Sequence, residues 1–344
     1  MNGRKQRELF TVNADSQVPK YRQIIDGVIG AIREKRARRG DILPSASYLC
    51  DEFQLARETV IKAYSALKKK GVVRAVPRRG YFVATESVEH TTRVLLLFDE
   101  LSPYKQDLYD SFRRHAGSSV VVDIFFHHCD IRAFKALLLD RAGSYNLYAV
   151  MPFEHKAIPG ILEKLDRSKL LMLDRADHVR PEDSFIGQDH DESLFDALDS
   201  AADLFEKYTK ACLVMPEPMG MAMHSSHAPS VIPAAFRRFC AKHRLNCSVE
   251  RRVGKVRKGE AWFVIDDADL VAVVEQAREN KLKLGKGLGV LAYNETAMRK
   301  IAGEGITVVS TDFKEMGRLV AEYVLNPRKM RITVPTRIIR RRSL

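Results

Sequence analysis

The chain has 344 residues, of which 45% are hydrophobic, so it has room for two or three domains with a sizeable core. It contains no run of about eighteen apolar residues and begins with a polar segment, which predicts a cytoplasmic protein without a transmembrane helix or signal peptide. Its five cysteines form no Cys-x-x-Cys pair and fit a reducing compartment better than a disulfide framework.

Positive charge is concentrated near the two ends of the chain. The formal net charge is +13; residues 1–90 contribute +8 and residues 325–344 contribute +7, which leaves −2 for the stretch between them. A basic terminal module on a nearly neutral body is typical of a nucleic-acid-binding segment attached to a soluble domain. The C-terminal segment alternates apolar and basic residues from Ile332 to Arg342, which favours a last strand of the body over a free DNA-binding arm.

Two helices are predicted at the start of the basic module. The first has an apolar stripe at helical spacing, formed by Tyr21, Ile24, Ile25, Val28 and Ile32. The second begins after Ser45, whose hydroxyl can accept a hydrogen bond from a backbone donor of the first turn. It ends at the turn Gln54-Leu55-Ala56, which leads directly into a further helical pattern.

A third helix and a basic hairpin complete this module. The third helix has an apolar face, so its polar N-terminal residues remain free to enter a major groove; that face comprises Val60, Ala63, Tyr64 and Leu67. Gly71 is suited to follow the helix end, and the β-prone runs Val72–Val76 and Tyr81–Val83 flank the turn Pro77-Arg78-Arg79-Gly80. The order and spacing predict a winged helix-turn-helix.

The segment resembles the winged-helix domain of the GntR family. The matching motifs are Leu43-Pro44-Ser45, Arg57-Glu58-Thr59-Val60 and Gly80-Tyr81-Phe82-Val83; the chain departs at Ser47 and Ile61, where members of the family carry arginine. The resemblance implies DNA contacts, which fall here on Ser45, Ser47, Arg57, Glu58, Thr59, Lys62, Arg78, Arg79 and Gly80. It also implies a homodimer on near-palindromic double-stranded DNA, because a two-fold protein matches a two-fold site.

Beyond Arg93 the pattern changes to short apolar strands that alternate with helices such as Gln106–Arg114 and Ala268–Glu279. The predicted strands are Val94–Phe98, Val120–Phe125, Leu147–Met151, Leu170–Leu173, Ala211–Met215, Trp262–Ile265, Gly289–Tyr293 and Thr307–Val309. Repeated units of this kind form parallel sheets covered on both faces, and such sheets bind ligands beyond the C-terminal ends of their strands. The fold class is therefore α/β, with an N-terminal winged helix-turn-helix.

The strand ends carry a second resemblance, to the effector domain of the LacI/GalR family, which is similar to periplasmic sugar-binding proteins. It extends over residues 93–344 through motifs at Phe98–Tyr104, Leu173–Arg175, Ile186–Asp189, Asp266–Leu270, Ala292–Thr296 and Glu315–Gly317. It implies two Rossmann-like lobes that close on a ligand. The expected domains are 1–84 for DNA binding, 85–92 as a linker that transmits closure, and 93–344 for effector binding and dimerisation.

The second resemblance also implies residues that hold an effector. They are Tyr104, Lys105, Phe153, Asp174, Arg175, Asp189, His224, His227, Asp267 and Asn294. Ile232 and Ile265 depart from the family, which usually has arginine and asparagine there; His224 and His227 precede the helix that contains Ile232 and are expected to compensate.

A metal site or an enzymatic function is not predicted. His127-His128-Cys129-Asp130 and the pair His224 and His227 lack a compact four-ligand spacing. The sequence contains no phosphate loop, no nucleophile elbow and no cofactor lysine motif, so no cofactor is expected.

These features predict a transcription regulator, with the expected role of a repressor of carbohydrate-utilisation genes, whose operator affinity is set by a monosaccharide or its phosphate. The pairing of domains is similar to that of arabinose-responsive repressors of bacilli. The alternative is a DNA-binding regulator whose body is a constitutive dimerisation or partner-docking scaffold without a sugar effector. Ligand-induced stabilisation distinguishes the two, because a ligand that binds only the folded state raises its melting temperature.

Overall fold

The computed structural model describes residues 9–16, 18–86, 92–176, 178–215 and 231–344. The described chain divides into two compact units. The first contains the described residues up to Val94 together with Ser118–Asp123 and Ala136–Leu147; the second contains Leu95–Gly117, Ile124–Lys135 and Tyr148–Leu344. In the described ranges, no helix has the length and hydropathy needed to cross a bilayer.

The winged helix-turn-helix predicted from the sequence is present in the first unit. Its elements are α1 (Lys20–Arg33), α2 (Ala46–Phe53), α3 (Arg57–Lys69), β1 (Val73–Val76) and β2 (Gly80–Val83), with β1 and β2 paired antiparallel. The apolar stripes of the three helices share one core, in which Ile24, Val28, Leu49, Tyr64 and Leu67 are buried. This core supports α3 and the β1–β2 wing, the two elements expected to contact DNA.

Local sequence signals set the boundaries of these helices. The backbone N–H of Tyr48 donates to the Ser45 hydroxyl at 3.1 Å, so Ser45 is the N-cap of α2. Gln54 ends α2 in a left-handed conformation with φ 51°, and Gly71 follows α3 with φ 70°, where the absence of a Cβ avoids steric strain. The predicted cap, turn and helix end are confirmed.

The first large sheet has six strands in the order β13-β7-β6-β5-β3-β4. They are β3 (Thr92–Phe98), β4 (Val120–Phe126), β5 (Leu147–Val150), β6 (Leu170–Asp174), β7 (Ser184–Gly187) and β13 (Arg331–Thr333). The helices between them are α4 (Pro103–Ala116), α5 (Ile131–Leu139) and α6 (Ile158–Leu162). The pairs β5–β6, β6–β7 and β7–β13 are parallel, as the buried apolar runs predict.

The second large sheet lies in the second unit and has the order β14-β12-β11-β10-β8-β9. Its strands are β8 (Lys210–Val214), β9 (Asn246–Glu250), β10 (Glu260–Val264), β11 (Gly289–Tyr293), β12 (Thr307–Thr311) and β14 (Thr336–Ile339). Its helices are α7 (Glu192–Asp199), α8 (Ala202–Phe205), α9 (Ile232–Lys242) and α10 (Asp267–Glu279), whereas α11 (Phe313–Leu325) follows β12 and packs against α4 and β7 of the first sheet. All strands are parallel except β14, which is antiparallel to β12.

The described chain passes between the two sheets at three crossovers: after β7, after β12, and between β13 and β14. The two sheets are the cores of two Rossmann-like lobes, which confirms the predicted α/β architecture. Strands β7 and β12 lead into crossovers at their C-terminal ends, and their parallel neighbours end at the same edge of each sheet, so we expect the residues at those ends to lie where the lobes join.

The basic C-terminal segment is part of the body and not a free arm, as predicted, but it forms two short strands: β13 pairs with β7 in the first sheet, and β14 pairs with β12 in the second. After β14, the Arg340 Nη1 is 2.7 Å from Asp203 Oδ2, Arg341 pairs with Glu295, and Arg342 Nη1 is 3.2 Å from Glu304 Oε2. Ser343 is fully buried, and its hydroxyl accepts from the Thr307 backbone N–H at 2.7 Å. The three arginines are therefore paired with carboxylates of the same lobe.

Helices α4 and α11 pack at unusually short distance because of Gly317. A Cβ atom at Gly317 would lie 2.2 Å from the carbonyl oxygen of Leu108 and 2.9 Å from the backbone nitrogen of Phe112. The Ser111 hydroxyl donates to the Lys314 carbonyl at 2.6 Å across the same contact. This packing brings the start of α4, with Tyr104, against the start of α11, with Phe313, at 4.7 Å between ring centroids.

Candidate functional site

The N-terminal half of α3 presents the polar side chains expected to enter a major groove. Arg57, Glu58 and Lys62 are exposed and Thr59 is half-buried. Lys62 Nζ lies 4.3 Å from the centroid of the Tyr21 ring, which orients the ammonium without neutralising it. Within the described residues neither Arg57 nor Lys62 forms an ion pair. Both cations are available to an anionic partner, and Ala56 leaves the first backbone N–H groups of α3 without a side-chain cap.

The wing carries further exposed cations on a strained turn. The Arg79 backbone N–H donates to the Val76 carbonyl at 3.0 Å, so residues 76–79 form a four-residue turn with Pro77 second and Arg78 third. Arg78 has φ 61°, a left-handed conformation that usually requires glycine or asparagine. The guanidinium carbons of Arg74 and Arg79 lie 5.4 Å and 5.9 Å from the centroid of the Phe82 ring. Arg78, Arg79 and Gly80 are all exposed.

The two serines of the predicted DNA-binding set lie at the start of α2. Ser45 and Ser47 are both exposed, and the Ser45 hydroxyl already caps the helix. No carboxylate in the part of the chain that the structure describes forms an ion pair with Arg78 or Arg79. The nine predicted residues therefore lie on α2, α3 and the wing of one small domain.

At the lobe junction, two candidate effector residues share an unusual backbone conformation. Asp174 is the last residue of β6 and has φ 67°, and Asn294 follows β11 with φ 69°. Both are buried, with 8% and 7% of their surface exposed. The Asn294 side-chain oxygen has no hydrogen-bond partner among the described residues. Strained, buried polar groups of this kind concentrate at ligand sites because a bound molecule can satisfy them.

Asp174 is connected to all three crossovers by a buried hydrogen-bond chain. The Gln188 amide donates to Asp174 Oδ1 at 2.6 Å, and the Thr311 hydroxyl donates to Gln188 Oε1 at 2.7 Å. The hydroxyls of Thr311 and Thr336 are 2.8 Å apart. Because the single hydroxyl proton of Thr311 is donated to Gln188, the Thr336 hydroxyl is the donor in this last contact.

Lys105 is a buried cation that is already neutralised. It is 2% exposed, and its ammonium contacts the Asp99 carboxylate, which directly follows β3. Burial alone would lower the pKa of Lys105, but the neighbouring Tyr104, Asp99 and Asp174 together raise it above its usual value. Burial also raises the pKa of Tyr104 to about 12, so the phenol remains protonated and can donate a hydrogen bond.

Tyr293, at the end of β11 in the second lobe, lies near Asp174 and Tyr104. Its hydroxyl is 3.0 Å from His190 Nδ1, in the first crossover. The pKa of Tyr293 is raised well above its usual value, first by burial and then by the negative charges of Asp174 and Asp189. Asp174 affects the pKa of both Tyr104 and Tyr293, which indicates that phenols from the two lobes lie near one carboxylate.

The remaining predicted effector residues are less closely joined. Asp189 accepts from the backbone N–H groups of Asp191 at 2.9 Å and Ser193 at 3.3 Å at the start of α7. Asp267 pairs with Arg299 at 2.6 Å, and Arg299 also donates to the Ile265 carbonyl. Arg175 follows Asp174 and is half-buried. Asp267 thus has a structural partner, which fixes the loop after β11.

Phe153 belongs to an aromatic cluster around His127. Its ring stacks on the His127 ring at 5.0 Å between centroids. His127 Nδ1 accepts from the Cys129 backbone N–H at 3.0 Å, so Nε2 carries the proton and donates to the Met151 carbonyl at 3.0 Å. Both ring nitrogens of His127 are therefore engaged by backbone groups. His224 and His227 lie outside the described residues.

Three residues of this site were not singled out in the sequence. Gln188, Tyr293 and Asp99 all stand within motifs at strand ends, but the motif alone did not indicate their contacts. A polar or aromatic side chain at the last position of a buried strand, as for Tyr293, or at the first position after one, as for Gln188 and Asp99, is the signal that would have found them. Ile232, which replaces the arginine usual in the family, is fully buried in the first turn of α9.

Comparison with known protein families agrees with both resemblances. The model for bacterial regulatory proteins of the gntR family matches residues 20–83, and the model for a periplasmic binding protein-like domain matches residues 187–344. The chain combines a gntR-type helix-turn-helix domain with a periplasmic-binding-protein-like domain. The first match coincides with α1–α3 and the wing, and the second includes all six strands of the second lobe.

The curated relatives that match part of the chain include transcription regulators. The repressor MngR of the mannosyl-D-glycerate transport/metabolism system of Escherichia coli is 34% identical over 82 residues, which cover 24% of this chain and 34% of MngR. The chain covers between 15% and 36% of the curated relatives that it matches. This similarity is therefore partial.

Solved structures resemble the periplasmic-binding-protein-like part in fold. The trehalose repressor of Escherichia coli has a TM-score of 0.59 at 13% identity and covers 72% of this chain and all (100%) of its own. A LacI family transcriptional regulator from Lactobacillus casei with bound sucrose has a TM-score of 0.58 at 15% identity and covers 74% of this chain and 100% of its own. At these identities the similarity establishes the fold alone.

Proposed function

We propose that the protein is a sequence-specific DNA-binding transcription regulator that acts as a repressor. Its affinity for operator DNA responds to a small carbohydrate. The observation that carries the DNA-binding part is a set of exposed cations, on α3 and the wing of a gntR-type domain, that form no ion pair within the part of the chain that the structure describes. Arg57 and Lys62 lie on the recognition helix, and Arg78 and Arg79 extend from the wing. Cations on the helix read base edges, while wing cations position the domain through phosphates.

The effector part of the proposal rests on the lobe junction. Asp174, Asn294, Tyr104 and Tyr293 offer carboxylate, amide and phenol groups, the side chains that hold sugar hydroxyls. The unpartnered Asn294 oxygen is an acceptor that a hydroxyl would satisfy. The protein from Lactobacillus casei with bound sucrose has the same fold, which supports a carbohydrate as the class of ligand.

Charge at the junction favours an uncharged sugar over a sugar phosphate. Lys105 is paired with Asp99, and Arg299 is paired with Asp267, so neither cation is free to neutralise a phosphate. Asp174 and Asp189 add negative charge, and Arg175 is the cation nearest to them in the sequence. A phosphate of roughly two negative charges near neutral pH would therefore meet net repulsion.

Operator binding by a homodimer completes the proposal. A single winged helix contacts only a few base pairs, and a symmetric dimer doubles the recognised sequence on a near-palindromic site. The effector changes operator affinity only to the extent that it prefers one arrangement of the lobes, and a coupling of about 1–3 kcal/mol is typical.

The DNA-binding part is tested by selecting bound sequences from a random double-stranded library with the full chain. We expect enrichment of one near-palindromic motif that binds at least a hundredfold more tightly than scrambled DNA at the same salt. Binding that depends on salt but not on sequence would contradict sequence-specific regulation. For a substitution within the predicted contact set, such as Arg57→Ala, the matched control is Ser65→Ala, which changes an exposed residue of α3 outside that set.

The effector part is tested by thermal shift with L-arabinose, D-ribose, D-glucose, D-galactose, D-mannose, D-fructose, sucrose and trehalose. We expect at least one sugar to raise the melting temperature, because only the folded state binds it. Asp174→Ala and Asn294→Ala should each weaken the binding of that sugar by tenfold or more. Each variant would leave a buried hydroxyl of the sugar without its hydrogen-bond partner, at a cost of about 1–3 kcal/mol. No stabilisation by any sugar would favour the scaffold alternative.

A further inference from the structure

Gln188 lies between Asp174, a residue proposed to hold the effector, and the crossovers that connect the two lobes. It is the first residue after β7, at the beginning of the first crossover, and is 5% exposed. Its side chain makes two hydrogen bonds, one as a donor and one as an acceptor. The amide nitrogen donates to the Asp174 carboxylate, and the amide oxygen accepts from the Thr311 hydroxyl.

Gln188, Thr311 and Thr336 lie on three different connections between the lobes. Thr311 is the last residue of β12, immediately before the second crossover, and Thr336 is the first residue of β14, immediately after the third. The two threonines are separated by 25 residues in the chain, and Thr311 and Gln188 by 123. All three side chains are buried, so water cannot replace a broken contact without entering the joint.

The direction of donation is the same along the whole chain. Thr336 donates to Thr311, Thr311 donates to Gln188, and Gln188 donates to Asp174, where the chain ends on a carboxylate. In a low-dielectric interior such aligned hydrogen bonds polarise one another, so a change at one end alters the strength of the others. Thr311 and Thr336 each have a single hydroxyl proton, and both protons are used within the chain, so a displacement of either threonine breaks a contact that it cannot remake with a second donor.

The second carboxylate oxygen of Asp174, Oδ2, has no hydrogen-bond partner among the described residues and remains for a ligand. Gln188 contacts Oδ1, and the Gln188 backbone N–H donates to the Asp174 carbonyl at 2.8 Å. Gly187 permits this short approach, because a Cβ there would lie 2.5 Å from the Asp174 carbonyl oxygen. A displacement of Asp174 on ligand binding is therefore passed to Gln188 through both its backbone and its side chain.

We propose that Gln188 is a positioning residue that couples occupancy of the effector site at Asp174 to the three lobe crossovers through Thr311 and Thr336. This inference rests on the proposed function, because it requires Asp174 to contact the effector. When the effector draws Asp174 toward the cleft, the Gln188 amide moves with it and the hydroxyls of Thr311 and Thr336 must move as well. The chain thereby links ligand contact to the relative motion of the lobes.

The test measures binding and coupling separately in the full-length protein. The effector dissociation constant is measured by calorimetry with the sugar of the above panel that gives the largest thermal shift. Coupling is the ratio of dissociation constants for the selected operator DNA with and without a saturating concentration of that sugar. We expect a ratio of about 5 to 150 for the unmodified protein.

Thr311→Val is the decisive variant because it removes one hydroxyl and nearly conserves volume. Gln188 still donates to Asp174, so we expect effector affinity to stay within threefold of the unmodified protein. The coupling ratio should fall to below a third of its original value. Gln188→Leu should lower both effector affinity, by tenfold or more, and the coupling ratio. The double variant should couple no more weakly than Gln188→Leu alone, because both changes break one chain.

Thr307→Val is the matched control for structural damage. Thr307 is fully buried in the same strand, β12, and its hydroxyl bonds the backbone of Arg341, far along the strand from the crossovers. We expect it to lower stability about as much as Thr311→Val and to leave the coupling ratio unchanged. If Thr311→Val and Thr307→Val have the same coupling ratio, the inference is wrong. If no sugar of the panel binds, the proposed effector function fails, and the ligand role of Asp174 fails with it.

Discussion

The wing offers a substitution that should raise stability and weaken DNA binding together. Arg78 is the third residue of the turn at residues 76–79 and has φ 61°. A left-handed conformation costs an L-residue with a Cβ about 1–2 kcal/mol, whereas glycine adopts it without that cost. Glycine also increases the entropy of the unfolded chain, which offsets about 0.5–1 kcal/mol of the gain. Arg78→Gly should therefore stabilise the protein by about 0.5–1 kcal/mol.

The same substitution removes an exposed guanidinium that we expect to contact a phosphate. One lost phosphate contact lowers the slope of log affinity against log salt concentration by about 0.9. The loss should be similar for operator and scrambled DNA, because phosphate contacts carry no direct sequence information. Arg78→Gly is accordingly expected to bind all DNA more weakly and to be less sensitive to salt.

The control is Arg78→Ala, which loses the guanidinium but keeps the Cβ and its steric cost. Chemical denaturation of the full chain compares stability, and fluorescence anisotropy at several salt concentrations compares DNA binding. Both variants should show the same loss in salt slope, and Arg78→Gly alone should be stabilised. An unchanged slope would refute the phosphate contact, and equal stability of the two variants would refute the strain at Arg78.

The remaining predictions concern the recognition helix, the first lobe and the effector. Arg57→Ala should lower operator affinity and relax base discrimination by about 1–3 kcal/mol in a gel-shift titration at fixed salt, and an unchanged sequence preference would remove Arg57 from base reading. Asp183 is buried; burial acts to raise its pKa, but hydrogen bonds from Arg167 and the Arg180 backbone hold that pKa below its usual value. Its stabilising contribution is thus complete above the usual carboxyl pKa and is lost as the pH falls through the lowered pKa. Asp183→Asn should therefore be less stable at pH 7 by about 3 kcal/mol in urea denaturation, and the difference should shrink as the pH falls through that lowered pKa; a constant difference would contradict this linkage. The phosphate ester of the best neutral sugar should bind at least tenfold more weakly by calorimetry, and tighter binding of the ester would contradict the charge argument.

Much of the fold could be predicted because the sequence expresses it locally. Apolar runs such as Val94–Phe98 and Gly289–Tyr293 become buried strands, and the cap at Ser45 and the glycine at Gly71 mark helix ends. Strand β9 (Asn246–Glu250) was not predicted, because it is a half-buried edge strand in which polar residues interrupt the apolar pattern.

The contacts of the effector site could be predicted only in part. Asp174 and Asn294 directly end or follow apolar strands, so the general rule for parallel sheets identifies them. The pairing of Lys105 with Asp99 and the chain from Thr336 to Gln188 depend on segments that converge only in the folded protein. No local pattern indicates which distant polar groups will meet, and the burial of Lys105 depends on its carboxylate partner rather than on its neighbours in sequence.

The central claim is that a carbohydrate controls DNA binding by this chain, and one titration tests it directly. The selected operator DNA, labelled with a fluorophore, is titrated with the full-length protein at fixed salt, with and without the sugar that gives the largest thermal shift. The account predicts a change in the operator dissociation constant of at least fivefold, absent in Asp174→Ala at the same sugar concentration. Equal operator affinity in both titrations, while calorimetry confirms that the sugar is bound, would contradict it.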